Sequence, residues 1–213
     1  MDRKNLGAHS LSLEQRSDTR EKHWRFAEEE NMLTLETERL ILRDFLRQDW
    51  DALNAILSDP QVTRFMHFAS WDEAERREWF EWLLQNASSQ ERDAYIWAVT
   101  LRESGALIGW FGIEAESSLK EAAQGARSCG YTLNRPFWGQ GYMPEAMRAV
   151  LIYEFTTLQT SRIIAKCNTQ NTASARVMQK CGMIYEGTRD DDDSEGNRVS
   201  CHHYAITKQN MIC

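Results

Sequence analysis

The sequence of 213 residues lacks the features that would direct it to a membrane or out of the cell. It has no apolar stretch long enough to cross a bilayer, and its first residues are charged and polar instead of a basic segment followed by an apolar one. Its five cysteines are scattered and include no Cys-x-x-Cys pair, so neither a disulfide framework nor a zinc site is expected. These absences predict a cytoplasmic protein with no membrane partner and no metal.

Positive charge is also in short supply. The 25 lysines and arginines, set against 32 aspartates and glutamates, leave a net charge of −7. A chain of this sign has little general attraction for nucleic acid, whereas a cationic partner such as an amine or a basic peptide is drawn towards it. The charge therefore argues against direct nucleic-acid binding and favours basic substrates.

The chain divides into a polar beginning and one patterned domain. Residues 1–31 are rich in charge and carry no sustained apolar period. They are interpreted as an N-terminal extension that is either flexible or folded as a helix around residues 23–30. Residues 32–213 are enough for a single domain with its own hydrophobic core, and one domain is expected there.

Apolar periodicity predicts seven strands and four helices in a mixed α/β order. The predicted strands cover residues 33–43, 95–101, 107–113, 128–133, 162–167, 183–189 and 201–207. The predicted helices cover residues 47–58, 70–87, 143–156 and 171–180, and a capping box at residues 70–73 opens the second of them. Residues 115–125 are expected to form a mobile loop. The acidic run 190–193 is expected to be a solvated loop that interrupts the last two strands, or an attraction for a cationic acceptor if it lies near the acceptor entrance.

Two glycines between a predicted strand and a predicted helix mark the most informative stretch, residues 136–146 (PFWGQGYMPEA). Gly139 and Gly141 let successive backbone N–H groups turn to one point, and the start of a helix adds partial positive charge, so a pyrophosphate can be held there. No Gly-Lys-Ser/Thr follows as in a P-loop, and Pro144 stands where a dinucleotide fingerprint has its third glycine. Coenzyme A is the remaining common ligand for such a turn.

Four more stretches agree with this turn in type and order: residues 37–43 (TERLILR), 130–131 (GY), 171–174 (NTAS) and 181–183 (CGM). Together they make the chain resemble the GCN5-related N-acetyltransferase (GNAT) superfamily, and within it the ribosomal-protein N-terminal acetyltransferase branch called RimJ/RimL-like. The resemblance covers about residues 33–207. It implies a GNAT fold, which is a mixed α/β fold with a central, mostly antiparallel seven-stranded sheet, splayed strands 4 and 5, and helices on both faces.

The resemblance also implies which residues meet the cofactor, acetyl-CoA. The implied cofactor-binding residues are Tyr131, Thr132 and Leu133 on the predicted fourth strand, Trp138, Gly139, Gln140, Gly141, Tyr142 and Met143 in the turn, and Asn171 at the start of the last helix. Backbone groups of the strand would meet the pantetheine amides, and one N–H would lie near the thioester oxygen, where it stabilises a developing oxyanion. The cofactor site is therefore expected to be built mainly from backbone.

Two side chains are candidates for catalysis. Ser174 matches the serine that the family uses to protonate the departing thiolate, although a first-turn serine on its own more often satisfies backbone donors. Ser128 stands where relatives of the family frequently have a glutamate, so the resemblance does not identify the general base. Pro136 stands where many relatives have Gln or Arg, so the resemblance leaves one pyrophosphate contact unassigned. Glu114 is the candidate base, with an exposed carboxylate at a strand end as the alternative.

Other residues that carry reactive or aromatic groups have simpler interpretations. Cys129 has no neighbouring cation pattern to activate it, so a buried thiol is expected instead of a nucleophile. The tryptophans Trp71, Trp79 and Trp82 are expected to pack in the core or a lid, with the wall of an acceptor pocket as the alternative. The pair at residues 202–203 (HH) should point to opposite sheet faces and so cannot chelate one metal.

The sequence thus predicts an acetyl-CoA-dependent N-acetyltransferase that acts on a primary amine by direct attack. A peptide α-amine, whose pKa is about 8, is the first acceptor hypothesis, because more of it is neutral at physiological pH than of a lysine near 10.4. A small amine, such as an antibiotic, a polyamine or an amino-acid derivative, is the second, and a noncatalytic acyl-CoA-binding module is the third. A homodimer is left open.

Overall fold

A computed structural model describes residues 24–26, 33–66, 68–89, 92, 94–115, 125–192 and 196–211. These residues form a nine-stranded sheet in which one neighbouring pair is parallel and the others are antiparallel. The strands are β1 (Trp24–Phe26), β2 (Leu33–Glu36), β3 (Leu40–Arg43), β4 (Ala94–Leu101), β5 (Leu107–Ala115), β6 (Ala126–Leu133), β7 (Arg162–Asn168), β8 (Ile184–Asp192) and β9 (Arg198–Thr207). Their order across the sheet is β1-β2-β3-β4-β5-β6-β7-β9-β8, and the predicted mixed α/β fold with a mostly antiparallel sheet is confirmed.

Helices cover both faces of this sheet, as expected. Those described are α1 (Trp50–Leu57), α2 (Pro60–Thr63), α3 (Glu73–Ser88), α4 (Tyr142–Thr156) and α5 (Thr172–Lys180). The capping box of α3 lies two residues later than predicted, because Asp72 is the N-cap and exchanges hydrogen bonds with Glu75 at 2.9 and 2.7 Å. Within the described ranges no helix has the length and apolar character needed to cross a membrane.

The sheet has nine strands instead of seven because residues 24–43, at one edge of the sheet, form three strands where one was predicted. The predicted strand 33–43 is two strands, since the chain turns between β2 and β3 and Thr37 fixes the turn with its N–H bonded to Leu40 O at 2.9 Å. Strand β1 then pairs antiparallel with β2. A helix around residues 23–30 is therefore wrong at Trp24–Phe26, and its other positions lie outside the described residues, as does most of the loop expected at 115–125.

The acidic run also differs from its prediction. Asp190, Asp191 and Asp192 continue β8 and pair with residues 198–200 of β9, while residue 193 lies outside the described part. Cations offset the charge, since Lys166 Nζ lies 3.3 Å from Asp191 and Arg198 Nε lies 3.7 Å from Asp192. Backbone pairing and these cations explain why the run is a strand and not a loop.

Alternate residues of the central strands pack into two separate hydrophobic cores, one on each face of the sheet. Trp97 and Val99 of β4 lie in a cluster with α4 and α5, whereas Ala98 between them lies in a second cluster with α1 and α3. The first cluster contains Met147 and Val150 of α4, which are fully buried. The sheet therefore separates two apolar layers, and any opening in it connects one layer with the other.

Such an opening lies between β6 and β7, the parallel pair. These strands pair over three positions, ending at Ser128↔Ile164, and then diverge. Residues 129–133 of β6 remain paired with β5 on their other side. The predicted splay of strands 4 and 5 is confirmed, and it leaves one edge of β6 without a strand partner over these five residues.

Candidate functional site

A cleft of about 640 Å³ lies where β6 and β7 diverge. Residues 129–133 of β6 form one wall, and the ends of β7 and α5 form another. The turn before α4 closes one end, and residues 61, 62 and 64–66, from α2 and the segment after it, also line the cleft. The cleft therefore follows the free edge of β6, whose backbone groups are available to a ligand.

The turn at the end of the cleft has the geometry of an anion site. Gly139 and Gly141 have φ of +75° and +83°, in the left-handed region that a side chain disfavours. Gly141 is the N-cap of α4 and has no side chain to occupy the first N–H groups of the helix. The backbone of Tyr142 and Met143 and the positive end of the helix dipole lie at this end of the cleft.

Basic side chains add positive charge to this cleft. Arg64, Lys166, Arg176 and Lys180 line it, although the chain as a whole is negative. Thr132 also lines it, and its backbone belongs to the free edge of β6. A long ligand with several phosphates and further polar groups therefore fits the residues present.

A cluster of polar contacts, here called the turn lock, fixes the turn to the β2–β3 hairpin. The Glu145 carboxylate accepts hydrogen bonds from Thr37 Oγ1 at 2.6 Å, Arg39 N at 2.9 Å and Arg39 Nε at 2.7 Å. Arg39 also donates to Gln140 O at 3.1 Å and lies over the Tyr142 ring at 4.4 Å. Burial alone would raise the pKa of Glu145, but the hydrogen bonds from Thr37 and Arg39 lower it below its usual value.

Sequence reasoning missed the turn lock, since its members are more than 100 positions apart. The acidic residue in the first turn of the predicted helix was the available signal, but nothing in the sequence shows which cation faces it.

Two hydroxyl groups meet in the middle of the cleft. Tyr131 Oη lies 2.8 Å from Ser174 Oγ, and either oxygen can donate. Asn171 caps α5, with its Oδ1 accepting from Ser174 N at 3.1 Å, so the first-turn position expected for Ser174 is observed. Burial raises the pKa of Tyr131 well above its usual value, so this hydroxyl keeps its proton. The tyrosine was predicted to act through its backbone, and its side-chain contact with the serine was not anticipated.

The predicted cofactor-binding residues lie together at this cleft with one exception. The lining includes Tyr131, Thr132, Leu133, Trp138, Gly139, Gly141, Tyr142, Met143 and Asn171. Gln140 is turned away, since its side chain donates to Pro136 O at 2.8 Å. Trp138 Nε1 donates to Leu133 O at 2.6 Å, so that carbonyl is engaged by the turn.

A smaller cavity of about 230 Å³ lies on the sheet face that carries α1 and α3. Its lining includes Glu114 and, facing it across β5 and β6, Ser128. Met66 and Gly130 line both this cavity and the cleft, so the two spaces meet at the free edge of β6. Glu114 therefore lies on a different wall from Ser174, on the other side of the opening.

Of the three tryptophans singled out in the sequence, two line this small cavity. They are Trp79 and Trp82, whereas Trp71 packs against Phe68 and Trp79 with ring centroids 5.3 and 6.0 Å apart. Trp110 of β5 also lines the cavity and was missed, because its predicted strand gave no indication of which face it occupies.

The thiols near the cleft are not activated. Cys129 lines it, but burial raises the pKa of Cys129 to about 12, so almost no thiolate forms at neutral pH. Burial likewise raises the pKa of Cys167 to about 11. The described residues contain no group of three or more His, Cys, Asp or Glu arranged to hold a metal ion.

Comparisons with known proteins agree with this geometry. A family model described as "Acetyltransferase (GNAT) domain" matches residues 39–184. The N-acetyltransferase p20 of Bacillus licheniformis is 31% identical over 180 residues, which are 84% of this chain and 98% of that protein. The FsC-acetyl coenzyme A-N(2)-transacetylase of Aspergillus fumigatus is 27% identical over 84% of this chain and 78% of its own length. An acetyltransferase of the GNAT family from Bacillus anthracis has a similar structure, with a TM-score of 0.71, 26% identity and coverage of 83% of this chain and 99% of that one.

The turn lock leads to a pH-dependent prediction. Because the folded-state pKa of Glu145 is lowered, its charge stabilises the fold above the ordinary carboxyl pKa of about 4.3, and this contribution is lost as the pH falls through the lowered value. We expect Glu145→Gln to reduce the free energy of unfolding by roughly 1–3 kcal/mol at pH 7, from weakened charged hydrogen bonds, and the difference to shrink towards pH 3. Urea unfolding followed by circular dichroism measures it.

Glu81→Gln is the matched control. Glu81 pairs with Arg47, but their side chains are 39% and 78% exposed, so this pair should contribute little at any pH. Equal effects of the two substitutions at pH 7 would contradict the turn lock.

Proposed function

The chain belongs to the acetyltransferase (GNAT) family, and from this membership we propose that it binds acetyl-CoA in the 640 Å³ cleft and acetylates a primary amine that enters by the 230 Å³ cavity. The observation that carries the proposal is the meeting of these two spaces at Gly130, where the sheet is open. A donor on one side and an acceptor on the other can come into contact there without crossing the sheet. Holding two reactants in contact is itself a large part of catalysis.

In the proposed donor site, each wall of the cleft binds a different part of acetyl-CoA. In our proposal the N–H groups after Gly141 hold the pyrophosphate, while Arg176 and Lys180 meet further phosphate. The free edge of β6 offers backbone groups to the pantetheine amides, and Asn171 lies beside it at the start of α5. When bound, acetyl-CoA supplies an acetyl group that is already activated as a thioester.

In this proposal, Ser174 donates a proton to the leaving sulfur. Its Oγ lies in the cleft within hydrogen-bond distance of Tyr131 Oη, which retains its proton because burial raises the pKa of Tyr131. Ser174 Oγ can therefore give its proton to the leaving thiolate while Tyr131 keeps its own proton and hydrogen-bonds to the serine oxygen at 2.8 Å. The proton that the amine releases restores the serine hydroxyl through solvent, so protons balance over one cycle. Tyr131 is itself held in place by stacking on Phe111, with ring centroids 5.7 Å apart.

Removal of the proton from the amine falls to Glu114 in this proposal. Glu114 is the carboxylate in the described lining of the small cavity, and it faces Ser128 across the strand pair. A peptide α-amine has a pKa of about 8 and needs only a weak base, whereas a lysine near 10.4 needs a stronger one. The protein α-amine therefore stays our first acceptor proposal, together with the ribosomal-protein branch that it suggests.

A small free amine is the second candidate. The observation that favours it is the limited volume of the cavity, about 230 Å³, with ring walls that leave little space for a folded partner to enter. The name of the relative from Aspergillus fumigatus describes an acetyl coenzyme A-N(2)-transacetylase, which agrees with transfer of acetyl to nitrogen.

The proposed activity is tested directly with acetyl-CoA and a mixed set of acceptors. We expect at least one peptide or small primary amine to gain acetyl mass, detected by mass spectrometry, with release of one free thiol for each acetyl transferred. Peptides with blocked N-termini and no lysine serve as the control. If no amine is acetylated and no thiol is released, the proposal is refuted.

Ser174→Ala tests the proton donor. We expect kcat to fall at least a hundredfold, the lower end of the roughly 10²–10⁴-fold range of general acid catalysis, with little change in the affinity for acetyl-CoA, since the binding groups stay in place. Ser88→Ala, at the last residue of α3 and away from the cleft, is the matched control. Unchanged kcat in Ser174→Ala would exclude the serine hydroxyl as the proton donor.

Gly141→Val tests the phosphate turn. A β-branched residue is strained at φ +83°, and the shifted turn no longer aims its N–H groups at one point, so we expect the dissociation constant for coenzyme A to rise at least tenfold by calorimetry. Gly196→Val carries similar strain, with φ +81° and open space around the added atom, but lies in the distant β8–β9 connection. Equal loss of affinity in both variants would show an effect of backbone strain only.

A further inference from the structure

The floor of the small cavity consists of two glycines side by side. Gly112 of β5 and Gly130 of β6 are directly paired in the sheet and so point to the same face. Their neighbours on that face, Trp110 and Thr132 on one side and Glu114 and Ser128 on the other, carry side chains. The hollow therefore has a cause in the sequence, which is the absence of two Cβ atoms at one cross-strand pair.

Aromatic rings form the opposite wall. Phe68, Trp79 and Trp82 line the cavity from α3 and the segment before it, and Trp110 rises from the floor beside the glycines. The Trp79 and Trp110 rings are 5.6 Å apart at 63°, and the Phe68 and Trp110 rings are 6.1 Å apart. Ring faces and edges of this kind bind flat apolar groups well, and they also attract an ammonium group.

The charge in the cavity is limited to one carboxylate. In the lining that the structure describes, Glu114 is the acidic residue and Ser128 the hydroxyl, and the remaining members are apolar or glycine. One carboxylate balances one ammonium group. A second ammonium on the same ligand would have no carboxylate partner in the described lining, so it would be held less well there than an apolar group of the same size.

We propose that this cavity selects acceptors in which a single primary amine is attached to a compact apolar group, preferably a flat one, of about the size of one side chain. The apolar group lies on Gly112 and Gly130 under the tryptophans, and the amine is left at the opening towards the cleft. The inference rests on the proposed function, and it names the acceptor class of that site. The amine and its apolar group can belong either to the first residue of a peptide or to a free small amine.

Two variants should change the selectivity in opposite directions. A methyl group added at Gly130 would lie 3.8 Å from Trp110, an ordinary contact, so Gly130→Ala should fold and make the cavity shallower. The same change at Gly112 would bring the methyl group 3.3 Å from Trp110 and is therefore less suitable. Trp82→Leu should make the cavity larger. Trp50→Leu is the matched control, because Trp50 is a half-buried tryptophan of the same cluster that does not line the cavity.

The measurement is kcat/KM for phenethylamine, ethanolamine and spermidine, and for peptides that begin with Phe or with Ser. We expect the wild type to prefer phenethylamine or the Phe peptide over the polar amine or Ser peptide at least tenfold. The preference should fall at least fivefold in Gly130→Ala, rise in Trp82→Leu for larger rings, and stay unchanged in Trp50→Leu. The two arms, free amine and peptide, identify the source of the apolar group.

Amine binding is read separately, from tryptophan fluorescence of the protein without acetyl-CoA. Phenethylamine should change the emission, and Gly130→Ala should weaken that response at least fivefold. Acetylation with a preference for spermidine, or a preference that both cavity variants leave unchanged, would overturn the inference while the proposed function stands. If no amine is acetylated, the proposed function fails, and the fluorescence titration alone decides whether the cavity binds the apolar amine.

Discussion

The divergence of β6 from β7 is the constraint on which the site depends. The two strands pair over three positions, and from residue 129 onwards β6 keeps hydrogen bonds to β5 on one edge while its other edge has no strand partner among the described residues. Backbone groups in that position need a ligand or water, since leaving them without hydrogen bonds is costly. The same gap connects the two faces of the sheet. The cleft and the smaller cavity, which we propose as donor and acceptor sites, thus meet because of a single change in strand pairing.

The geometry of the cleft also depends on two contacts, each of which joins parts of the chain that are far apart in sequence. The turn lock joins Glu145, in the first turn of α4, to the β2–β3 hairpin through Arg39, so the phosphate turn cannot move independently of the sheet edge. On the other wall Tyr131 joins β6 to α5 through Ser174. Each contact joins a helix to a strand or hairpin. Together they fix the positions of the glycine turn and of Ser174, the proposed anion site and proton donor, relative to the free edge of β6.

The sequence was sufficient for features that depend on neighbouring residues. The glycine turn, the order of the main elements and the central hairpin all have short-range signals, and the structure has them where they were expected. Features that depend on tertiary pairing were not accessible. Nothing in residues 33–43 marks the turn at Thr37, because no glycine or proline stands there, and the three aspartates of β8 form a strand only because β9 and Lys166 are beside them. The Gly112 and Gly130 pair becomes a floor only once the strand register is known.

The environment of the cleft explains why a hydroxyl proton donor suits it better than a protein thiolate. Burial raises the pKa of Cys129, Tyr131 and Cys167, so three groups around Ser174 all resist negative charge. A covalent route through Cys129 would need the thiolate that this environment suppresses. The same burial would raise the free energy of any other thiolate formed at this place, unless that thiolate receives a proton. In the proposed mechanism Ser174 Oγ, hydrogen-bonded to Tyr131 Oη at 2.8 Å, supplies that proton, and the proton released by the amine restores the hydroxyl.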